Sequence, residues 1–226
     1  MKRVLKYVAG VLFGTLATAG LMVAPAQAQS EQQKLVNTSV TTLSNFLRDP
    51  DMTWLQQNIG RAKAVMIAPE IAKAGFIIGG SGGRAVLVYN NGGKWTGPAF
   101  YALATASIGF QAGISVSEAV TLVMTEKGMN SLLASTMKMG GDASVAAGPV
   151  GAGAKSDIVA DLVTFSRAKG VYGGLNLDGT VVHVSEDWNT AYYGKKVLPP
   201  DILIKGAAVN KAADPLLMEV AKASKK

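Results

Sequence analysis

Residues 79–93 read GGSGGRAVLVYNNGG and decide the fold class of this chain. The apolar run at residues 85–88 is typical of a β-strand. Asn90-Asn91-Gly92-Gly93 is a turn signal, because asparagine and glycine accept the left-handed backbone conformations of hairpin turns. On the other side of the run, the glycines predict a tight connection at residues 80–83 from an earlier strand at residues 75–79. The stretch therefore predicts consecutive strands joined by glycine-rich turns.

The same pattern continues along the middle of the chain. Further strands are predicted at residues 64–67, ending at Pro69, and at residues 110–124, 162–165, 170–177 and 180–185. Asp178-Gly179 predicts a hairpin turn between the last two strands.

Helical spacing dominates the two ends. Apolar residues recur at helical spacing from residue 30 onward, and Asp49-Pro50 ends the run. A second short helix is predicted behind an Asp51 N-cap, with an apolar face formed by Met52, Leu55 and Ile59. Further helices are predicted at residues 126–138 behind a Thr125 N-cap, from residues 185–188, and at residues 216–222 behind Asp214-Pro215.

These elements predict an α+β fold with a mainly antiparallel, barrel-like sheet flanked by N-terminal and C-terminal helices. The apolar stripe of the first helix has two interpretations: it dips into a membrane surface, or it covers the sheet, which is the commoner fate. Small residues alone fill residues 141–151, a composition that lets two backbones approach closely.

Residues 1–28 have the composition of a secretory signal peptide. Basic residues precede an apolar run at residues 8–23, which is short for a membrane-spanning helix of about 20 residues. Ala26-Gln27-Ala28 supplies the small residues of a cleavage site. We therefore predict cleavage after Ala28 and export of one domain, residues 29–226, to the periplasm or cell envelope; a retained anchor is the alternative.

The charge of the chain is positive and uneven. The formal net charge of +7 falls to +4 without residues 1–28, when 19 basic residues face 15 acidic ones. The basic residues concentrate at residues 61–100 and from Lys195 onward. Such charge suits an anionic phospholipid surface or an ordinary solvated surface. Nucleic acid is not an expected partner, because export separates the protein from it and no basic-aromatic patch is present.

Catalytic chemistry has little support in the sequence. No cysteine is present, and the single histidine, His183, lies in a strand pattern without a nucleophile elbow elsewhere. A zinc site needs more histidine or cysteine ligands. Asp157 and Asp161 suit a solvated helix face or a cap better than a calcium site. We therefore expect no enzymatic activity, no metal and no cofactor.

Residues 79–84 are the candidate anion site. Successive N–H groups of a glycine loop can form a nest for phosphate, and Arg84 adds a planar cation. The alternative is a tight connection between strands without a ligand. The stretch lacks the Gly-Lys-Ser/Thr ending of a P-loop, and the residues after it predict a strand rather than the helix of a dinucleotide loop.

Seven motifs in a fixed order carry a resemblance to a known family. They are AKAGF at 72–76, GGSGGRAVLV at 79–88, WTGPA at 95–99, GFQAG at 109–113, the small-residue segment at 141–151, FSRAKGVYGG at 165–174 and NTAYYG at 189–194. Together they resemble the SYLF domain family, over about residues 35–205. Each glycine motif is weak alone, and their order makes the resemblance specific.

The resemblance implies a lipid-binding domain, shared with yeast and animal actin-patch proteins, that binds acidic phospholipids such as phosphatidic acid and phosphoinositides. It implies actin binding for some eukaryotic members, but an exported protein meets no actin, so actin is not an expected partner here. Eukaryotic members have a basic amphipathic N-terminal segment, whereas this chain has a signal peptide and a helix with only Lys34 and Arg48. The expected function is salt-sensitive binding of anionic headgroups. The alternative is an envelope structural or protein-interaction domain without lipid selectivity.

The candidate headgroup contacts are bases and glycines that flank the predicted glycine-rich strand connections: Lys63, Lys73, Gly82, Gly83, Arg84, Lys94, Arg167 and Lys169. Trp95 and Tyr172 are candidate aromatic residues at headgroup level, with core packing as the commoner fate of both. These residues form one site only if the hairpin ends gather at one edge of the fold.

Overall fold

The computed structural model describes residues 29–75, 78–108, 113–151, 158–168 and 177–225. Its α-helices are α1 (Glu31–Arg48), α2 (Thr53–Asn58), α3 (Glu126–Leu133), α4 (Glu186–Tyr193) and α5 (Asp214–Ala223). Its strands are β1 (Ala64–Gly75), β2 (Ile78–Asn91), β3 (Lys94–Ile108), β4 (Gly113–Val123), β5 (Thr136–Lys138), β6 (Val145–Ala147), β7 (Leu162–Ala168) and β8 (Val181–Val184).

The eight strands of the described chain form one curled sheet in the order β5-β8-β3-β2-β1-β4-β7-β6. Each neighbouring pair is antiparallel except β6 and β7, which run parallel. The four central strands are the longest, at 11 to 15 residues each. The predicted α+β fold, a barrel-like sheet with helices at both ends of the chain, is confirmed.

Successive side chains of each strand point to opposite faces of the sheet, and both faces are buried. On the first face, residues such as Ala64 and Met66 pack against α3 and against the chain that follows α3 and α4. On the second face, residues such as Val65 and Ile67 pack against α1, α2, α4 and α5. Four α-helices therefore cover the second face of the sheet, and α3, a π-helical turn at Pro200–Ile204 and loops cover the first.

Helix α1 is docked on the second face. Ser30 caps its N-terminus by accepting a hydrogen bond from the N–H of Gln33 at 3.2 Å. Val36, Leu43 and Phe46 form its buried stripe, each at most 1% exposed. The interpretation that this stripe covers the sheet is confirmed. Among the residues described here, no helix is long and apolar enough to cross a membrane.

The chain turns sharply between α1 and α2. A 3-10 turn at Pro50–Met52 comes first, and the Asp49 carboxylate caps it by accepting from the N–H of Asp51 at 3.0 Å. The predicted Asp51 N-cap is therefore wrong, because α2 begins only behind this turn. The predicted apolar face is confirmed by three fully buried side chains, those of Met52, Leu55 and Ile59.

Strand β1 continues past Pro69, where the sequence predicts its end. A β-bulge shifts the register against β2 between Ile67 and Glu70, and a similar shift occurs against β4. Proline has no N–H to donate to a ladder, and a bulge is a place where a sheet accommodates it. The bulge therefore lets one strand run from Ala64 to Gly75.

The glycines at residues 79–83 are not a connection, so that prediction is wrong. They lie inside β2, which pairs with β1 on one side and with β3 on the other. Their backbone groups belong to these two ladders and form no nest for an anion. The turn predicted at the other end of β2 is confirmed, and Gly92 and Gly93 have positive φ angles of 62° and 95°.

The other predicted helices are present, but some of them begin or end at different residues from those predicted. The predicted Thr125 cap is present, accepting from the N–H of Gly128 at 3.1 Å, but α3 ends at Leu133 and the next residues form edge strand β5. Asp214 is the first residue of α5, and Ala213 is its N-cap. The strand β6 within residues 141–151 is not predicted by the sequence pattern.

Several predictions concern residues outside the described ranges. The signal peptide, residues 170–176 of the strand predicted at 170–177, and the candidate contacts Lys169 and Tyr172 lie outside the described residues. The turn at Asp178-Gly179 is present, with a φ of 78° at Gly179.

Candidate functional site

The predicted basic contacts are spread along the sheet rather than gathered at one end. Lys63 directly precedes β1, and Lys94 begins β3 beside the β2–β3 turn. Lys73 lies ten residues further along β1, about 30 Å from Lys63 at 3.3 Å per residue. Arg84 occupies the middle of β2, and Arg167 on β7 lies at about the same level, because their partners Glu70 and Glu118 both lie at the bulge of β1. The structure therefore brings Lys63 and Lys94 together and separates the other bases from them.

Three further bases join Lys63 and Lys94 at this end of the sheet. The carbonyl of Lys63 accepts a hydrogen bond from the N–H of Asn90 at 2.8 Å, which places Lys63 beside the β2–β3 turn. The side chain of Asn91 donates to the carbonyl of Ile204 at 2.8 Å, which brings Lys205 to the same turn.

The helical layer contributes the other two bases. Gly60 lies so close to Ser224 that a Cβ on the glycine would be 2.7 Å from the Ser224 carbonyl oxygen. The residues that follow each of them, Arg61 and Lys225, therefore lie near each other, just before the start of β1. We call the set the basic end: Arg61, Lys63, Lys94, Lys205 and Lys225.

Two charges of the basic end are compensated. Lys63 forms an ion pair with Glu126 at 2.8 Å, and hydrogen bonding to this carboxylate raises the pKa of Lys63. Lys205 pairs with Asp201 at 2.9 Å. Arg61, Lys94 and Lys225 are exposed and form no ion pair within the described chain. The basic end therefore presents three uncompensated cations to the solvent.

Sequence reasoning missed three members of this set. Arg61, Lys205 and Lys225 lie in the two regions where basic residues concentrate, and that concentration was the only available signal. The contacts that join them to the β2–β3 turn link residues more than 100 positions apart, as between Asn91 and Ile204. No local pattern in the sequence records such a contact.

Two of three other candidate contacts, Trp95 and Gly83, have structural roles, and Gly82 does not. Trp95 is 6% exposed and packs in the core on the second face, so it is not available to a headgroup. Gly83 lies against the bulge of β1, where a Cβ would be 2.3 Å from the Glu70 carbonyl oxygen. Gly82 is exposed within β2, and a Cβ on it would have only the Leu103 carbonyl oxygen within 4 Å, at 3.5 Å.

Arg167 holds α1 to the sheet. Its guanidinium donates to the Glu118 carboxylate, with Nε at 2.7 Å, and pairs with Asp49 at 3.7 Å. Glu118 also accepts from the hydroxyl of Thr42 on α1 at 3.2 Å. The same guanidinium lies 5.3 Å from the ring centre of Phe46, a cation–π distance. The Arg167 charge is therefore neutralised by carboxylates of the protein itself.

We expect Arg167→Met to lower the free energy of unfolding by about 1–2 kcal/mol, because it leaves the partly buried Glu118 carboxylate without its cation. Urea unfolding measures the change. The exposed Lys94→Met serves as the matched control and should leave stability unchanged. Equal stability of both variants would contradict a structural role for Arg167.

The described residues contain no group of three or more His, Asp or Glu side chains that could hold a metal ion.

The fold and the surface together define a class of protein: a curled-sheet domain covered by helices, with a cationic end around one hairpin turn.

Comparison with known proteins gives the family. A family model described as "Ysc84: Las17-binding protein actin regulator" matches residues 104–223. Protein YSC84 of Saccharomyces cerevisiae is 32% identical over 165 residues, which are 70% of this chain and 35% of the yeast protein. SH3 domain-containing YSC84-like protein 1 of Homo sapiens is 26% identical over 190 residues, 79% of this chain and 54% of the human protein. The chain belongs to the Ysc84 (SYLF) domain family.

The match covers only part of each relative. This chain spans about a third of the yeast protein and about half of the human one. LAS seventeen-binding protein 3 of Saccharomyces cerevisiae is similar to the same extent, at 32% identity over 69% of this chain. The family description names Las17 binding and actin regulation, and the name of LAS seventeen-binding protein 3 also describes binding.

Proposed function

We propose that this domain is a non-enzymatic module that binds anionic phospholipid surfaces through the basic end, after export to the cell envelope. The observation that carries the proposal is the convergence of Arg61, Lys94 and Lys225, uncompensated within the described chain, around the β2–β3 turn. Near an anionic bilayer, a lysine or arginine contributes about 1 kcal/mol of attraction. Three such cations support reversible attachment that weakens as salt screens the charges.

The geometry of the basic end suits a planar surface better than a small ligand. Its cations come from a helix-turn region, a hairpin turn and the end of α5, and they stand on the outside of the fold rather than around a cavity. The apolar stripe of α1 is packed on the sheet, so the proposed attachment needs no insertion of that helix.

Co-sedimentation with vesicles tests the proposal. The chain from Gln29 onward should bind vesicles that contain phosphatidylglycerol or phosphatidic acid, and not vesicles of phosphatidylcholine alone. Charge reversal in Arg61→Glu/Lys94→Glu should weaken binding about tenfold or more, because two attractive charges become repulsive. Raising the salt concentration should weaken binding of the wild-type protein.

A matched control separates a local site from net charge. Lys34→Glu/Lys138→Glu changes the net charge by the same amount at two exposed positions away from the basic end. This variant should bind nearly as well as the wild type. Equal loss in both double variants would show attraction by net charge alone, and absence of binding at low salt would leave the protein-interaction alternative.

A further inference from the structure

A cavity of about 470 Å³ lies where β8 leads into α4, away from the basic end. It is lined by Arg84, His183, Val184, Ser185, Glu186, Asp187 and Trp188. These side chains supply a guanidinium, an imidazole, a hydroxyl, two carboxylates and an indole. The cavity therefore combines positive and negative groups in one small concave space.

The sheet explains why the cavity exists. Arg84 on β2, Ala102 on β3 and His183 on β8 are consecutive partners across three strands. Partners across neighbouring strands share a face of the sheet. Ala102 has only a methyl group, so a gap remains between the longer side chains of Arg84 and His183. The first turn of α4 lies over this gap and closes one side of it.

The Arg84 guanidinium is fixed in place. It stacks 4.0 Å from the ring centre of Trp188 and donates to the hydroxyl of Ser185 at 3.3 Å. No carboxylate within the described chain forms an ion pair with it. A planar guanidinium held by stacking is arranged to bind a carboxylate or phosphate through two parallel hydrogen bonds.

The other polar groups favour a second charge on the ligand. Glu186 and Asp187 are exposed at the cavity and form no ion pair in the described part of the chain. With two carboxylates against one guanidinium, the cavity does not favour an anion alone. His183 bonds through Nδ1 to the Thr136 hydroxyl at 2.7 Å, which leaves its other ring nitrogen, Nε2, for a hydrogen bond to a ligand.

We propose that this cavity binds a zwitterion that carries an oxyanion and a primary ammonium. Arg84 and Ser185 receive the oxyanion, and the carboxylates of Glu186 and Asp187 receive the ammonium. Phosphoethanolamine is the probe with this chemistry, either free or as the headgroup of phosphatidylethanolamine. This cavity is separate from the basic end. Its ligand also differs in charge, because the phosphoethanolamine headgroup of a phospholipid has no net negative charge.

Nitrogen-15 NMR of the full-length protein tests the proposal through the indole of Trp188, one of three tryptophans. Trp188→Phe assigns its signal. Phosphoethanolamine should shift this signal to saturation, and inorganic phosphate or ethanolamine alone should bind about tenfold more weakly or not at all. Arg84→Gln should abolish the shift, and Arg84→Lys should restore part of the affinity.

The isosteric variant Glu186→Gln/Asp187→Asn tests the ammonium contact. It should weaken binding of phosphoethanolamine and remove the preference over phosphate. An equal affinity of the wild type for phosphate and phosphoethanolamine, or no saturable shift with either, would overturn the proposal. Lys94→Glu, at the basic end, should leave this titration unchanged while it weakens binding to anionic vesicles.

Vesicles distinguish the two sources of the ligand. If the headgroup of a lipid is recognised, vesicles of phosphatidylethanolamine with phosphatidylcholine should bind the protein and those of phosphatidylcholine alone should not, since a quaternary ammonium cannot donate to the carboxylates. Binding of the soluble probe without binding to either vesicle would assign the cavity to a free zwitterion.

Discussion

Replacing Gly83 by alanine should lower the free energy of unfolding by about 3 kcal/mol, as measured by urea denaturation. A Cβ at this position would lie 2.3 Å from the Glu70 carbonyl oxygen and 3.2 Å from the Cα of Ile71. Both atoms belong to the backbone of β1 at its bulge, so no flexible side chain can move away. The methyl group therefore forces apart two central strands of the sheet.

Gly82→Ala is the matched control because the two glycines are adjacent in the same strand. The nearest atom to a Cβ at Gly82 is the Leu103 carbonyl oxygen at 3.5 Å, an ordinary contact. Alanine there should leave stability unchanged or raise it by about 0.5 kcal/mol, because it restricts the unfolded chain. Similar small effects at both positions would contradict the packing of Gly83 against the bulge.

The same pair of variants separates a packing role from a role in ligand binding. If glycine at these positions contacts a headgroup, Gly82→Ala should reduce binding to anionic vesicles while the protein stays fully folded. The position of both residues inside a paired strand predicts no such reduction. Vesicle co-sedimentation of Gly82→Ala measures it directly.

Local patterns predicted the elements of this fold better than their limits. The apolar run and the turn residues at 84–93 indicated a strand and a hairpin turn, and both are present. Glycines at residues 79–83 suggested a connection because glycine is rare inside strands. Here the bulge at Pro69 on the neighbouring strand requires Gly83, and that cause lies more than ten residues away in the sequence.

The small-residue segment at residues 141–151 shows the same limit. Its composition indicated a close approach of two backbones, whereas the tight contact of Gly148 is with a side chain: a Cβ there would lie 2.2 Å from the ring of Phe165. The pattern did not indicate which backbone is approached, or that β6 pairs with β7 in parallel. Partners of this kind are fixed by tertiary packing rather than by local propensity.

The candidate site was harder to predict than the fold. Charge composition indicated two basic regions, but the position of a surface lysine depends on the register of strands and on the path of loops. Lys63 and Lys73 lie ten residues apart along one strand direction and therefore at opposite ends of the sheet. Lys205 joins the basic end through a contact to Asn91 that no sequence spacing indicates.

Asp161 is a buried junction rather than part of a solvated helix face. Its carboxylate accepts hydrogen bonds from the hydroxyl of Thr125 at 2.5 Å and from the N–H and hydroxyl of Ser144 at 2.9 and 2.8 Å. Lys127 lies 3.6 Å away. Asp161 directly precedes β7. Its side chain therefore links the start of β7 to the N-cap of α3 and to Ser144, the residue before β6.

These hydrogen bonds, first that of Thr125, lower the pKa of Asp161 from 3.8 to about 2. Because the folded state favours the charged form, this carboxylate stabilises the fold fully above about pH 4. That stabilisation is lost as the pH falls from about 4 to about 2, since the unfolded chain binds the proton first. The wild-type protein should therefore lose stability across this range.

Asp161→Asn should lower the free energy of unfolding at pH 7 by about 2–3 kcal/mol, because a neutral amide offers one acceptor oxygen where the charged group offers two. Its free energy of unfolding should also depend less on pH between 4 and 2 than that of the wild type. Urea denaturation at a series of pH values measures both effects.

A partly exposed carboxylate elsewhere offers a control for general loss of a negative charge. Asp51→Asn removes one such charge from a side chain that accepts no hydrogen bond among the described residues. It should keep the pH dependence of the wild type between 4 and 2. If Asp161→Asn keeps that dependence as well, other carboxylates cause the acid destabilisation, and the junction at Asp161 contributes by packing rather than by its charge.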